Sequence, residues 1–417
     1  MALPDIDELD RDDPLSRYRD EFVIADPEVC YLDGNSLGRL PKRTVEVVNH
    51  FLSDEWGSEL VTGWSHWIDE AQTVGDLVGR AALGASPGQT LAIDTTSVNF
   101  FQLCDAALRA RPGRTKVITD SSNFPTDRYI LEGLCRGHGL ELVFIDDSHG
   151  EGYVTPEMLS EFLDETTALV SLSVVQYQSG ALHDVAALTR LTHSVGAITV
   201  WDASHAVGVV NLQFDRDNVD LAVGCTYKYG NAGPGSPAWM FVNKGLQAEL
   251  RVPIQGWFAQ RDQFAMGQGF DRADGMRGFQ IASPSIMGMR CIQSSFSMID
   301  EAGMPAIAAK SARGTELMVS LHDAWLAPLG FSLVTPRDSS RRGGHVSLYH
   351  PEARQVALAM REMVKVIPDF REPSSIRLAM SPLATSFREV WNGFERTRDL
   401  VASGRFRSVS PSASRVT

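Results

Sequence analysis

The chain has 417 residues, enough for two lobes and a large core, since single cores stop growing near roughly 250–300 residues. Its 52 acidic against 38 basic side chains give a net charge of -14, which excludes nucleic acid and anionic membrane as expected partners. Five scattered cysteines with no CxxC pair exclude a disulfide scaffold or zinc ribbon; with no leader-like start and no long apolar run, the expected location is cytoplasmic.

The first fifteen residues carry Asp5, Asp7, Glu8, Asp10, Asp12 and Asp13 and read as a solvated acidic arm. Val29-Cys30-Tyr31-Leu32 is an isolated strand-like run, so residues 1–60 are expected to pack on a smaller C-terminal domain. From about residue 90 to 245, short β-branched or apolar runs alternate with helical patterns. The runs are 116–119, 141–145, 169–175, 197–201, 221–225 and 238–242, with lengths that suit buried strands. Residues 97–110 and 184–195 have helical spacing, with Val98, Phe101, Cys104 and Leu108 on one face of the first. This alternation predicts an α/β fold, a mostly parallel sheet covered by helices, with the ligand beyond the carboxyl ends of the strands. Past Met298 the pattern is helical again; 331–334, 345–349 and 376–380 then read as strands of a smaller α+β domain. The expected division is 1–60, 61–297 for the large cofactor-binding domain, and 298–417, with a frayed Ser-rich end from Ser408.

The chemistry concentrates where buried strands give way to loops. In Thr226-Tyr227-Lys228-Tyr229-Gly230-Asn231, Lys228 is framed by aromatics and followed by glycines, downstream of Asp202 at the end of an apolar run. Burial favours a neutral amine, which can form a Schiff base with an aldehyde, while an aspartate can keep a pyridine nitrogen protonated. The pair points to pyridoxal phosphate; taken singly, a lysine here is more often a surface residue and an aspartate a turn residue. Thr96 and Ser97 stand at a predicted helix start, where a phosphate or a plain N-cap is served equally well. Phe124 could stack on a cofactor ring or merely cover core. His205 has no second ligand at metal spacing, so hydrogen bonding is favoured and no metal is expected.

Seven blocks in order resemble kynureninase: Tyr31-Leu32-Asp33-Gly34-Asn35-Ser36-Leu37-Gly38, Asn123-Phe124-Pro125-Thr126-Asp127, Gly224-Cys225-Thr226-Tyr227-Lys228-Tyr229, Gly233-Pro234-Gly235-Ser236, Gly256-Trp257-Phe258, Gly344-His345-Val346-Ser347 and Arg371-Glu372-Pro373. The resemblance implies a pyridoxal phosphate enzyme of the aspartate aminotransferase fold, a homodimer with shared active sites. It implies hydrolysis of L-kynurenine to anthranilate and L-alanine in tryptophan catabolism.

By position, Lys228 would hold the cofactor aldehyde, Asp202 would pair with the pyridine nitrogen, Phe124 would stack, and Tyr227 would relay a proton. Thr96, Ser97 and Tyr227 would hold the phosphate, helped by Trp257 and Ser283 of the neighbouring subunit. Asp127, Ser173 and His205 match further cofactor contacts, and Arg377 and Trp64 match the substrate side, Arg377 at the α-carboxylate.

Ala282-Ser283-Pro284-Ser285-Ile286, Ser381-Pro382-Leu383-Ala384 and Val174-Val175-Gln176 depart from the family pattern. They leave a 3-hydroxy or ring-methylated kynurenine open as substrate. Another pyridoxal phosphate reaction, as of a transaminase, β-lyase or desulfurase of secondary metabolism, is the alternative activity, and a noncatalytic cofactor-binding homologue is the alternative class.

Overall fold

The computed structural model describes residues 3–147 and 152–410. Its first third holds α1 (Ile6–Arg11), β1 (Cys30–Tyr31), α2 (Lys42–His50), α3 (Trp64–Trp67), α4 (Glu70–Val78), β2 (Thr90–Ala92), α5 (Thr96–Arg109), β3 (Lys116–Asp120) and α6 (Pro125–His138). The middle holds β4 (Glu141–Ile145), α7 (Pro156–Ser160), β5 (Thr167–Ser173), α8 (Val185–Ser194), β6 (Ile198–Asp202), β7 (Leu221–Gly224) and β8 (Trp239–Val242). The remainder holds α9 (Ile286–Ala302), α10 (Met304–Leu321), β9 (Ser332–Leu333), β10 (His345–Tyr349), α11 (Ala353–Val364), β11 (Val366–Ile367), β12 (Asp369–Arg371), β13 (Ser375–Ala379) and α12 (Phe387–Ala402).

Seven strands form one sheet in the order β2-β8-β7-β6-β5-β3-β4, parallel except that β8 runs antiparallel to both neighbours. Its inner strands are buried and largely apolar because both faces are covered, whereas the edge strand β4 is partly exposed. Alternate residues go to opposite sides: Val117, Leu169, Val200 and Val223 pack under α5 and α6, while Ile118, Val170, Trp201 and Ala222 pack under α4, α8 and α9. Between β5 and β3 the strand order reverses, which opens a crevice above the sheet.

A second sheet, β12-β13-β10-β9, is antiparallel and shares a core with α10, α11 and α12 through Met318, Leu348, Met360, Phe387 and Phe394. β1 pairs in parallel with β11 through Cys30 and Val366, which ties the early chain to this late region. The α/β class and the smaller α+β assembly expected from the sequence are both present. Among the described residues, no helix is long and apolar enough to cross a membrane.

Three readings need correction. The acidic N-terminus is not a solvated arm: Asp5 caps α1, Ile6 is buried, and Asp10 accepts the Phe387 and Arg388 N–H groups at the start of α12. Asp13 pairs with Lys310 at 2.7 Å, both side chains buried. Their negative charge has specific partners, which composition cannot reveal. The buried face of α5 centres on Phe100, Leu103, Cys104 and Ala107, whereas Phe101 is exposed, because the helix is turned by about one residue from the predicted stripe. At the C-terminus, the Gln355 amide donates to the Val409 carbonyl at 2.6 Å, so order continues just past the expected fraying point at Ser408; residues 411–417 lie outside the described ones.

Candidate active site

A cavity of ≈330 Å³ opens beyond the carboxyl ends of β5, β6 and β7. Thr96, Ser97, Phe124, Asp127, Ser173, Asp202, His205, Tyr227 and Lys228 all line it. Residues distant in sequence meet there because parallel strands deliver their C-terminal loops to one edge.

The loops that carry these side chains are braced by local hydrogen bonds. Thr95 caps α5 by accepting the Val98 N–H at 3.3 Å, which sets Thr96 and Ser97 in the first turn facing the cavity. After β3, the fully buried Asn123 accepts from the Phe124 N–H at 2.8 Å and from Ser173 Oγ at 2.7 Å, and donates to Thr119 Oγ1 at 3.0 Å. This fixes Phe124, whose ring meets Tyr177 edge-on at 5.3 Å. Gly38 presses on the lysine loop, its N–H donating to the Tyr227 carbonyl at 2.8 Å; a Cβ there would sit 2.4 Å from the Lys228 carbonyl. Asn231, at φ 57°, closes the same loop onto the Tyr229 carbonyl at 2.7 Å.

Lys228 Nζ lies 2.9 Å from His205 Nε2 and 6.0 Å from the Phe124 ring centroid. Burial, reinforced by the Lys228 charge, drives the His205 imidazole well below its ordinary range, so it stays neutral and accepts from the amine. Asp202 takes the Ser204 N–H on Oδ1 at 2.7 Å and faces Asp127 with its remaining capacity. Asp127 is pushed far above the carboxylate range, first by burial and then by the Asp202 charge, which favours its protonated form. The Tyr227 hydroxyl is pushed up by Cys225 and by burial and remains a donor.

These residues fit pyridoxal phosphate. An amine, a carboxylate pair, an aromatic face and a helix start surround one cavity. Asp127 Oδ2 and His205 Nδ1 are buried without a partner among the described residues, as expected of a wall built against a polar ligand. Tyr177, Ser204, Val175 and Cys225 also line the cavity and were not anticipated. Tyr177 and Val175 lie just past β5, and the strand-end rule that placed Asp202 would have found them.

Four expected residues lie elsewhere. Arg377 on β13 is 1 % exposed, ion-paired with Asp369 of the adjacent β12, and donates to the Tyr177 carbonyl at 2.5 Å. It therefore stands behind the cavity wall, held there by the cross-strand carboxylate. Trp64 packs on Trp67 and Phe258, at 5.7 and 6.1 Å between ring centroids, in a cluster separate from the cavity. Trp257 is 46 % exposed and Ser283 is exposed, both outside the cavity lining.

Residues 307–396 match the kynureninase C-terminal domain. The kynureninase of Pseudomonas fluorescens is 36 % identical over 397 residues, covering 93 % of this chain and 92 % of its own length. That of Burkholderia pseudomallei (strain 1106a) is 35 % identical over 408 residues, covering 96 % and 95 %. Among solved structures, a cysteine desulfurase from Thermococcus onnurineus NA1 superposes with a TM-score of 0.78 at 18 % identity, covering 97 % of this chain and 99 % of its own. The Escherichia coli cysteine desulfurase gives 0.78 at 14 % identity, covering 93 % and 98 %. These two likenesses speak for the fold alone, whereas the identity to full-length kynureninases reaches the family. The chain belongs to the kynureninase family of pyridoxal phosphate-dependent hydrolases.

Proposed function

We propose that the protein hydrolyses the Cβ–Cγ bond of L-kynurenine, or of a 3-hydroxy or ring-methylated kynurenine, to an anthranilate and L-alanine. The observation that carries this reading is the meeting of Lys228, His205 and the Asp127–Asp202 pair in one cavity of a chain of this family. When bound, pyridoxal phosphate supplies an electron-withdrawing ring that acidifies Cα and eases Cβ–Cγ cleavage once water has added to the γ-carbonyl.

The chain's own residues do the rest. Lys228 Nζ holds the cofactor aldehyde and, once released, moves the Cα proton, with neutral His205 keeping the amine in place. Asp202 would keep the pyridine nitrogen protonated, with Asp127, whose burial favours the protonated form, beside it. Phe124 covers the ring face, Ser173 braces the loop that carries it, and Thr96, Ser97 and the Tyr227 hydroxyl receive the phosphate. Tyr227 would also relay a proton. Arg377 receives the α-carboxylate by its planar fork, a role that requires the Asp369 contact to open. Trp257 and Ser283 complete the phosphate site of a second copy, and Trp64 serves the substrate side.

Anthranilate fluorescence on incubation with L-kynurenine tests the activity, and a panel of ring-substituted kynurenines ranks the substrates. Lys228→Ala should lose at least ~10²–10⁴-fold in turnover together with the absorbance of the bound cofactor. Retained turnover in that variant, or an inert wild type across the panel, would overturn the reading.

A further inference from the structure

A second cleft, of ≈470 Å³, lies on the other side of the loops that form the cavity wall; Ser122, Asp147, Gln176 and Gln178 are among its lining residues. Behind it, Asp120 closes β3 with no exposed surface and accepts from Gln176 Nε2 at 2.9 Å. Asp147 Oδ1 accepts from Ser121 Oγ at 3.1 Å and from the Ser122 N–H at 3.2 Å. Asp120 immediately precedes this Ser121–Ser122 turn in the chain, so the two carboxylates are gathered about it.

Each member of this group keeps one oxygen in reserve. Asp120 Oδ2, Asp147 Oδ2 and Gln176 Oε1 are buried and have no partner among the described residues. The three side chains are each at most 1 % exposed. The Gln176 amide cannot turn over to use its oxygen elsewhere, because that would set it against the Asp120 carboxylate. Arg128 is the nearby cation, yet its guanidinium donates to the Ser121 carbonyl at 3.0 Å and forms no ion pair with either carboxylate among the described contacts.

We propose that Asp120, Asp147 and Gln176 bind a hard alkali or alkaline-earth cation. The donor set is oxygen only, with no nitrogen or sulfur, which selects this class over zinc or copper. Water completes the coordination from the open cleft. The position also has a consequence for the neighbouring cavity. Gln176 lies between Val175 and Tyr177, and Ser122 precedes Phe124 by two residues, so the segments that hold the cation turn their other side chains into the active site. The cation braces the aromatic wall formed by Phe124 and Tyr177.

The test is thermal unfolding of cofactor-loaded protein, stripped of metals and held in choline chloride at constant ionic strength, then titrated separately with KCl, NaCl, MgCl₂ and CaCl₂. At least one salt should raise the unfolding temperature saturably, with isothermal titration reading one site per chain; the responding salt separates the monovalent from the divalent case. Asp147→Asn should abolish that rise while leaving the unfolding temperature in choline unchanged or higher, since a buried charge is removed. If that variant does not fold, Gln176→Met carries the same test. A response no greater than that to added choline chloride overturns the proposal, as does a full response in Asp147→Asn. No activity is read, so the outcome is independent of the proposed reaction.

Discussion

Arg377 and Asp369 are almost wholly buried together, and Arg371 also pairs with Asp369 at 3.1 Å, so deleting the Arg377 guanidinium leaves the buried carboxylate with one cation in place of two. Arg377→Ala is expected to lower stability by about 1–3 kcal/mol in denaturant titrations, before any effect on substrate. Arg377→Lys keeps the charge and separates the roles: a KM increase larger than its stability loss accounts for marks the carboxylate contact. His183 makes a second prediction. Its Nδ1 donates to the Ser173 carbonyl at 2.7 Å and its Nε2 accepts the Val154 N–H at 2.9 Å, and burial lowers its pKa to about 4. The folded state thus prefers neutral imidazole, so this contribution to stability is complete above the ordinary value of 6.5 and is lost as pH falls toward 4. His183→Gln should flatten the acid limb of stability over that window, by up to on the order of 3 kcal/mol. An unchanged slope would show that His183 titrates normally. At this scale, Lys228 and Asp202 were legible because lysine chemistry needs a carboxylate at a strand end. The burial of Arg377 was not, because its partner Asp369 is set by pairing between β12 and β13.

Among the elements, α4 and β2 are in unusually close contact. A Cβ on Gly75 would lie 2.2 Å from the Thr90 carbonyl oxygen, so Gly75→Ala must push the helix off the strand. The expected cost is roughly 1–3 kcal/mol by thermal or denaturant unfolding, and a neutral result would mean the contact relaxes freely. The strands β3, β4 and β10 could be read almost residue by residue, because apolar runs of that length have few other uses. β2 and β11 could not, since two or three residues carry no period. The acidic start was misread for a related reason. Charge along a sequence shows that a segment is polar, but Asp13 and Lys310 meet only after α10 and the N-terminal segment have docked.

For the whole molecule, Trp257, expected to serve a second copy, is one of several large apolar side chains left exposed. Trp257, Phe264 and Met266 are exposed, as are Trp56, Leu60 and Val61, an apolar display that a monomer rarely carries. If sites are shared, an inactive Lys228→Ala chain and a Trp257→Ala chain impaired in cofactor binding should complement each other on mixing and refolding. Activity should approach about a quarter of wild type, since half the dimers are mixed and each has one intact site. Activity no greater than that of the separate variants would count against sharing.

By itself the sequence determined the alternation of buried strands and helices, the α/β class and the lysine–aspartate pairing, because burial period and reactive side chains are local properties. Only the tertiary structure decided that Asp127 is buried against Asp202, that Arg377 is held by Asp369, and that Asp120, Asp147 and Gln176 gather behind the cavity. These depend on strand order and on the exclusion of water, neither of which exists until distant segments have packed.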